Sequence, residues 1–275
     1  MPRRVSLFTV VAGLVLAVTA SAVQAQAREE GKLLVASQVL EELRDARDQL
    51  IPERLMERAY GIAVIPDLTK VAFFAGGRHG NGVMVVRNKD GRFTNPVFIT
   101  MTGGSFGWQW GVQKTDIVLV FTSRKGIEGI AGGKVTLGAD ASVAAGPVGR
   151  QASAATDASF KAEVYSYSRS RGVFAGLALD GTVLRIDDDA NETFYKKSGV
   201  GANDIMSGAV ASNDDAVKRF NAAVSTSTRG QQSASAAPVA RQAEASPAAA
   251  PAPQRSSGAA QTFPLEDQHP GSDPK

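Results

Sequence analysis

Residues 146–186 read GPVGRQASAATDASFKAEVYSYSRSRGVFAGLALDGTVLRI, and how this stretch is read decides the fold. Small residues stand where turns are needed, two tyrosines flank serines, two arginines are spaced by one residue, and glycine lies inside an apolar run. No catalytic motif has that shape. The pattern predicts two or three strands of a sheet with cationic residues at a strand junction. Asp180-Gly181 supplies a hairpin turn, because glycine takes the positive φ that tight turns require.

Strand signals extend upstream. Residues 61–65 end at Pro66, and 71–75 run into the glycine-rich 76–82, expected to be a turn between strands. Residues 83–87 lead to a second hairpin signal at Asp90-Gly91, and 92–100 follow, with Pro96 marking an edge or irregularity. Phe106, Trp108 and Trp110 alternate along a strand and should share one face, either core or the lining of a groove. Residues 116–122 read as a buried strand and 123–131 as a short helix that Ser123 can cap. Strands resume at Lys134 and continue, with interruptions, to Ile186.

Helical periodicity marks the flanks. From 28 to 50, Leu33, Ala36, Leu40, Leu43, Ala46 and Leu50 recur at steps of three and four, on one face of an amphipathic helix. Its polar face mixes both signs of charge, which favours packing on the sheet over lying on a membrane. Pro52 suits the first turn of a second helix through Ala59. Short helices are expected from Asp187 through Tyr195, over 203–208 and over 214–224. The fold class is α+β: a mainly antiparallel β-sheet, sandwich or barrel-like, with an N-terminal amphipathic helix and short C-terminal helices.

Both ends differ from globular sequence. Residues 1–27 have the parts of a signal peptide: Arg3 and Arg4, an apolar run over 5–18, and Ala25-Gln26-Ala27 as a small-x-small cleavage site. The paired arginines leave both the general and the twin-arginine export routes open. Residues 226–275 are rich in Ala, Pro, Ser and Gln and have too little apolar surface to offset ordering entropy, so a disordered tail is expected. Residues 28–225 remain as one domain. The absence of cysteine excludes disulfides and a lipid-modified N-terminal cysteine. The expected product is exported, periplasmic or secreted, and soluble after cleavage. Of the net charge of +3, two charges are Arg3 and Arg4, so the total gives no argument for nucleic acid.

Ile65-Pro66, Lys70, the Gly76-Gly77 to Gly82 run, Gly104-Ser-Phe-Gly107 with Gln109 and Gly111, Gly146-Pro-Val-Gly-Arg150, Tyr167-Ser-Arg-Ser-Arg-Gly172, Phe174-Ala-Gly176, Asn191 and Tyr195 together resemble the SYLF domain family. The resemblance covers about residues 36–207. It implies lipid binding: eukaryotic members bind phosphoinositides at membranes, and some bind and bundle actin. Bacterial members are commonly exported, often as lipoproteins. Without a cysteine, this chain departs from the tethered type, and actin is not an expected partner for an exported bacterial protein.

The residues themselves offer an anion site. Arg150, Arg169 and Arg171 lie beside glycine or serine, where a head group can approach the backbone and guanidinium forks can hold phosphate. Arg169 and Arg171 project from one face of an extended strand. Lys134, Lys161 and Arg185 extend the patch if neighbouring strands align. The alternative is that these arginines pair with Asp157, Glu163 or Asp187. Arg78 and His79 form a second candidate, although the loop leads into a strand rather than the helix of a phosphate cradle.

Enzyme readings are weaker. Residues 103–107 match G-x-S-x-G around Ser105, but that elbow needs a following helix, then an acid and a histidine later in the chain. Asp187, Asp189 and Asn191 imitate a calcium loop without its glycine or its bidentate glutamate, and a helix start accounts for them better. No cofactor is implied. The expected function is non-catalytic binding of lipid or an anionic membrane surface. The alternative is a cell-envelope protein–protein interaction or structural role, and a serine hydrolase using Ser105 is the weakest reading.

Overall fold

A computed structural model describes residues 7–45, 51–148, 160–170 and 173–229, with side chains from residue 23 onward except at 72–75 and 105–111. The chain runs α1 (Leu7–Asp45), α2 (Glu53–Glu57), β1 (Gly61–Val86), β2 (Val97–Phe121), α3 (Arg124–Ala131), β3 (Lys134–Thr136), β4 (Val143–Ala145), β5 (Val164–Ser170), β6 (Val173–Gly176), β7 (Val183–Ile186), α4 (Asp188–Tyr195), α5 (Ala202–Met206) and α6 (Asp215–Thr228).

β1 and β2 make one long antiparallel ribbon, from Gly61 opposite Phe121 to Met84 opposite Val97. Two sequence expectations are corrected here. Pro66 does not end a strand. It lacks an N–H for the ladder, and the register shifts between Ile65 and Leu68 in a bulge. Asp67 takes φ 51° there, and its N–H donates to Asp116 Oδ1 at 2.9 Å. Residues 76–82 are not a turn but part of β1. Gly80 and Gly82 let the second half of the strand lie against the first. A Cβ at Gly82 would collide with the Val64 carbonyl and sit 2.9 Å from Ile65 Cα, and one at Gly80 would sit 2.9 Å from Leu68 Cδ1. Without Cβ atoms at these points the second half of β1 packs directly on the first, and the ribbon folds back on itself.

The remaining strands add to both halves of β2. β5 pairs with the second half, and β6 and the parallel β4 pair with β5; β7 pairs with the first half and carries β3. The result is the curled, mainly antiparallel sheet that was expected, and 146–186 contributes three of its strands. Both predicted turn glycines have positive φ, Gly91 (78°) and Gly181 (71°), but the hairpin expected at Asp180-Gly181 is corrected: β6 pairs with β5 and β7 with β2 and β3, so this turn joins strands that are not neighbours.

Alternation along the strands divides the core in two. Val118 and Val120, with Val64, Val85 and Phe98, meet Leu33, Ala36, Leu40 and Leu43 of α1 and Val217, Phe220 and Val224 of α6. Ile117 and Leu119, with Ile65, Met84, Ile99 and Leu184, fill the other face against Ile127 and Ile130 of α3 and Ile205 of α5. Burial of each such side chain is worth about 1.5–3 kcal/mol, so the sheet is held from both sides. α1 packs on the sheet as expected but starts at Leu7 rather than near 28, and its first buried described side chain is Glu29. Ala46, Leu50 and residues 230–275 lie outside the described residues, whereas α6 runs on to a buried Thr228, three residues into the stretch expected to be a disordered tail. Among those described, no helix is long and apolar enough to cross a membrane.

Candidate functional site

Arg169, on β5, stands opposite Asp116 of β2 in the ladder. One terminal nitrogen of its guanidinium reaches Asp116 Oδ2 at 3.2 Å and the other pairs with Glu42 of α1. Its side chain is 19% exposed. Arg169 is therefore a clamp between helix and sheet. Its partners are Glu42 and Asp116, not the three acids that the sequence suggested. Arg150 and Arg171 lie outside the described residues, as do Gly149 and Gly172.

Lys134 and Arg185 do align: they are direct cross-strand partners, and Arg185 in turn faces Thr100. Among the described residues neither is in an ion pair. Arg78 lies within β1, opposite Gly103, and Nη2 donates to the Gly104 carbonyl at 3.2 Å. Its Nε is buried with no partner among the described residues, and burial lowers its pKa from the ordinary arginine value. It braces the glycine-rich ribbon, with none of the geometry of a phosphate loop.

The ribbon carries a surface that sequence reasoning missed. Val71 and Val112 are cross-strand partners and are 50% and 67% exposed. Lys114, two residues along β2 and therefore on the face of Val112, is also exposed, with Nζ 4.0 Å from Asp67 Oδ1. A strand run such as 71–75 reads as core in the sequence. No local signal marks Val71 as exposed, because exposure depends on which elements cover the ribbon, and only the fold supplies that. A second register shift, between Ala72 and Phe74, interrupts the ribbon beside the segment of Phe106, Trp108 and Trp110. The side chains of those three lie outside what is described.

Ser105 sits inside β2, opposite Gly76, with strand on both sides, so the strand-to-helix context of a nucleophile elbow is missing. The acidic run has a structural use. The Asp187 carboxylate accepts from Ala190 N–H at 3.2 Å and caps α4, while Asn191 bonds to the backbone of Phe98. Other motif residues are shape. A Cβ on Gly146 would enter the Tyr167 ring, one on Gly176 would strike the Gly146 carbonyl, and the Tyr195 hydroxyl donates to Pro96 O at 2.6 Å.

A family model described as "Las17-binding protein actin regulator" (Ysc84) matches residues 102–216. The chain is 41% identical over 151 residues to "Protein YSC84" of Saccharomyces cerevisiae, covering 54% of this chain and 32% of the relative. It is 34% identical over 194 residues to an SH3 domain-containing protein of Schizosaccharomyces pombe, covering 70% and 44%. It is 30% identical over 191 residues to "SH3 domain-containing YSC84-like protein 1" of Xenopus laevis, covering 69% and 56%. The chain thus spans about a third to just over half of these relatives' lengths.

Proposed function

Because the chain carries a domain of the Ysc84/SYLF family, we propose that it acts by binding rather than catalysis, and that it binds an anionic membrane surface as an exported bacterial protein. The observation that carries this reading is the exposed Val71–Val112 pair with Lys114 beside it. Apolar side chains that enter the head-group layer, with a cation beside them, suit peripheral adsorption to anionic lipid. Lys134 with Arg185, and Arg150 and Arg171, are proposed as further head-group contacts. Export rests on residues 1–27 and fits the packing of α1, whose first buried described residue is Glu29, just past the proposed cleavage site. The family description speaks of Las17 and actin. A protein partner is therefore the second reading, and for an exported chain that partner belongs to the cell envelope.

Co-sedimentation of the chain with phosphatidylcholine vesicles, with and without phosphatidylglycerol, tests the proposal. The expected result is binding to anionic vesicles at low salt that drops sharply in Val71→Asp/Val112→Asp. Equal recovery with neutral and anionic vesicles, or unchanged binding by that variant and by the Arg150/Arg171 double glutamine variant, would refute it.

A further inference from the structure

On the side of the molecule where α2, the end of β2 and the segment before β5 meet, a cleft of about 210 Å³ is lined by Arg58, Thr122, Ser123, Lys161 and Glu163, with Leu55 and Phe160 as its apolar wall. Arg58 and Lys161 are exposed, and among the described residues neither is in an ion pair. Ser123 precedes α3 but makes no side-chain cap bond, and its hydroxyl oxygen is buried without a partner among the described residues. The first-turn amides of α3 therefore lack the acceptor that a capping serine provides. Glu163, the one acid of the lining, is engaged elsewhere: Oε2 accepts from Ser142 N–H at 2.8 Å, and Oε1 lies 3.6 Å from Lys125 Nζ. The walls are fixed, since Thr122 N–H donates to Glu163 O at 2.9 Å and Thr122 Oγ1 donates to Ala162 O at 2.7 Å.

Cations without partners, an idle hydroxyl donor and an uncapped helix start all lack the same thing, an acceptor with several oxygens. We propose that this cleft binds a phosphate group, either phosphate or a phosphate monoester. Arg58 and Lys161 supply charge-assisted donors, and Ser123 turns its hydroxyl to donate a further bond. α3 starts from Ser123 in the cleft wall, so the favourable end of its dipole lies next to the bound anion. The site does not depend on the Val71–Val112 surface, so it stands or falls separately from the membrane reading.

The test follows backbone amide resonances of the ¹⁵N-labelled full chain during titration with inorganic phosphate, with glycerol 3-phosphate, and with phosphatidic acid in phosphatidylcholine vesicles. Saturable shifts at Ser123, Arg124 and Lys125 are expected, with affinity weakened roughly tenfold or more in Arg58→Gln/Lys161→Gln. Shifts with the two soluble probes identify a soluble phosphate ligand, and shifts with phosphatidic acid alone identify a lipid head group. Val71→Asp/Val112→Asp should leave the shifts from soluble phosphate unchanged. Shifts that map elsewhere, no shifts with any probe, or equal affinity in the double glutamine variant would overturn the proposal. The wild-type map decides the matter even if that variant fails to fold.

Discussion

Asn191 completes the bonding of Phe98 beyond the end of β7: its Oδ1 accepts the Phe98 N–H at 2.9 Å, across 93 positions of sequence, and its Nδ2 donates at 3.2 Å to the Phe98 carbonyl, which also accepts from Asp187 N–H at 3.0 Å. The side chain is fully buried, and Nδ2 also donates to Asp187 O at 2.8 Å. Asn191→Ala would leave the Phe98 N–H buried without an acceptor. A loss of about 2 kcal/mol is expected, read as a lower urea midpoint with unchanged slope.

Two glycines should respond oppositely to one methyl group. Gly146→Ala drives a Cβ into the Tyr167 ring and should cost about 2 kcal/mol or more, or prevent folding. Gly104→Ala, with no atom within 4 Å of the added Cβ, should change the melting temperature little. Equal effects would show that the close approach of Gly146 to Tyr167 does not matter to stability.

Arg169→Gln should destabilise by roughly 1–2 kcal/mol, a modest figure because Glu42 is more than a third exposed. In a double-mutant cycle with Asp116→Asn, the coupling should account for much of that loss. If vesicle binding falls while stability holds, Arg169 is a lipid contact and the clamp assignment is wrong.

Tyr167 and Tyr195 should resist ionisation. Burial raises both pKa values above the usual tyrosine range, with smaller contributions from Tyr165 and Asp214 respectively. A raised folded pKa contributes stability that is complete below the unfolded value, about 10, and is lost as pH rises from there through the folded value. The absorbance change of these two tyrosines should therefore coincide with alkaline unfolding. Tyr195→Phe should flatten part of that pH dependence, at the cost of the bond to Pro96.

Vesicle binding should weaken as salt rises from 50 to about 200 mM, as screening shortens the reach of Lys114 and the other cations. Lys114→Glu should lower affinity by roughly tenfold or more at low salt and by less at high salt.

Much of the sheet was legible because alternation and turn chemistry are local. Asp90-Gly91 and the apolar pattern of 117–121 mark their own structure, while Asp180-Gly181 marks a turn without telling that the strands on either side pair elsewhere. The helix of Leu33, Ala36, Leu40 and Leu43 was equally plain, since its period is also local. Continuity across Pro66 and the glycines of 76–82 was not legible. Both read as breaks, and only the approach of Gly82 to Val64, between the two halves of one strand, turns them into a bulge and a fold-back. The arginine site shows the same limit. Spacing put Arg169 and Arg171 on one face, but the acids that engage Arg169 come from α1 and from β2, far away in sequence.

The folded-back ribbon also bears on how the domain assembles. Its turn lies between Val86 and Val97, so pairing can zip outward from Met84 and Val97, while Gly61 and Phe121 are the most distant pair to close. β5 and β7 can dock only on β2 segments already in register. Folding should therefore be slow and ordered, with high contact order for the chain length and a nucleus near Asp90-Gly91. In refolding kinetics, Gly91→Ala should slow the folding limb, whereas Phe121→Leu should mainly speed unfolding.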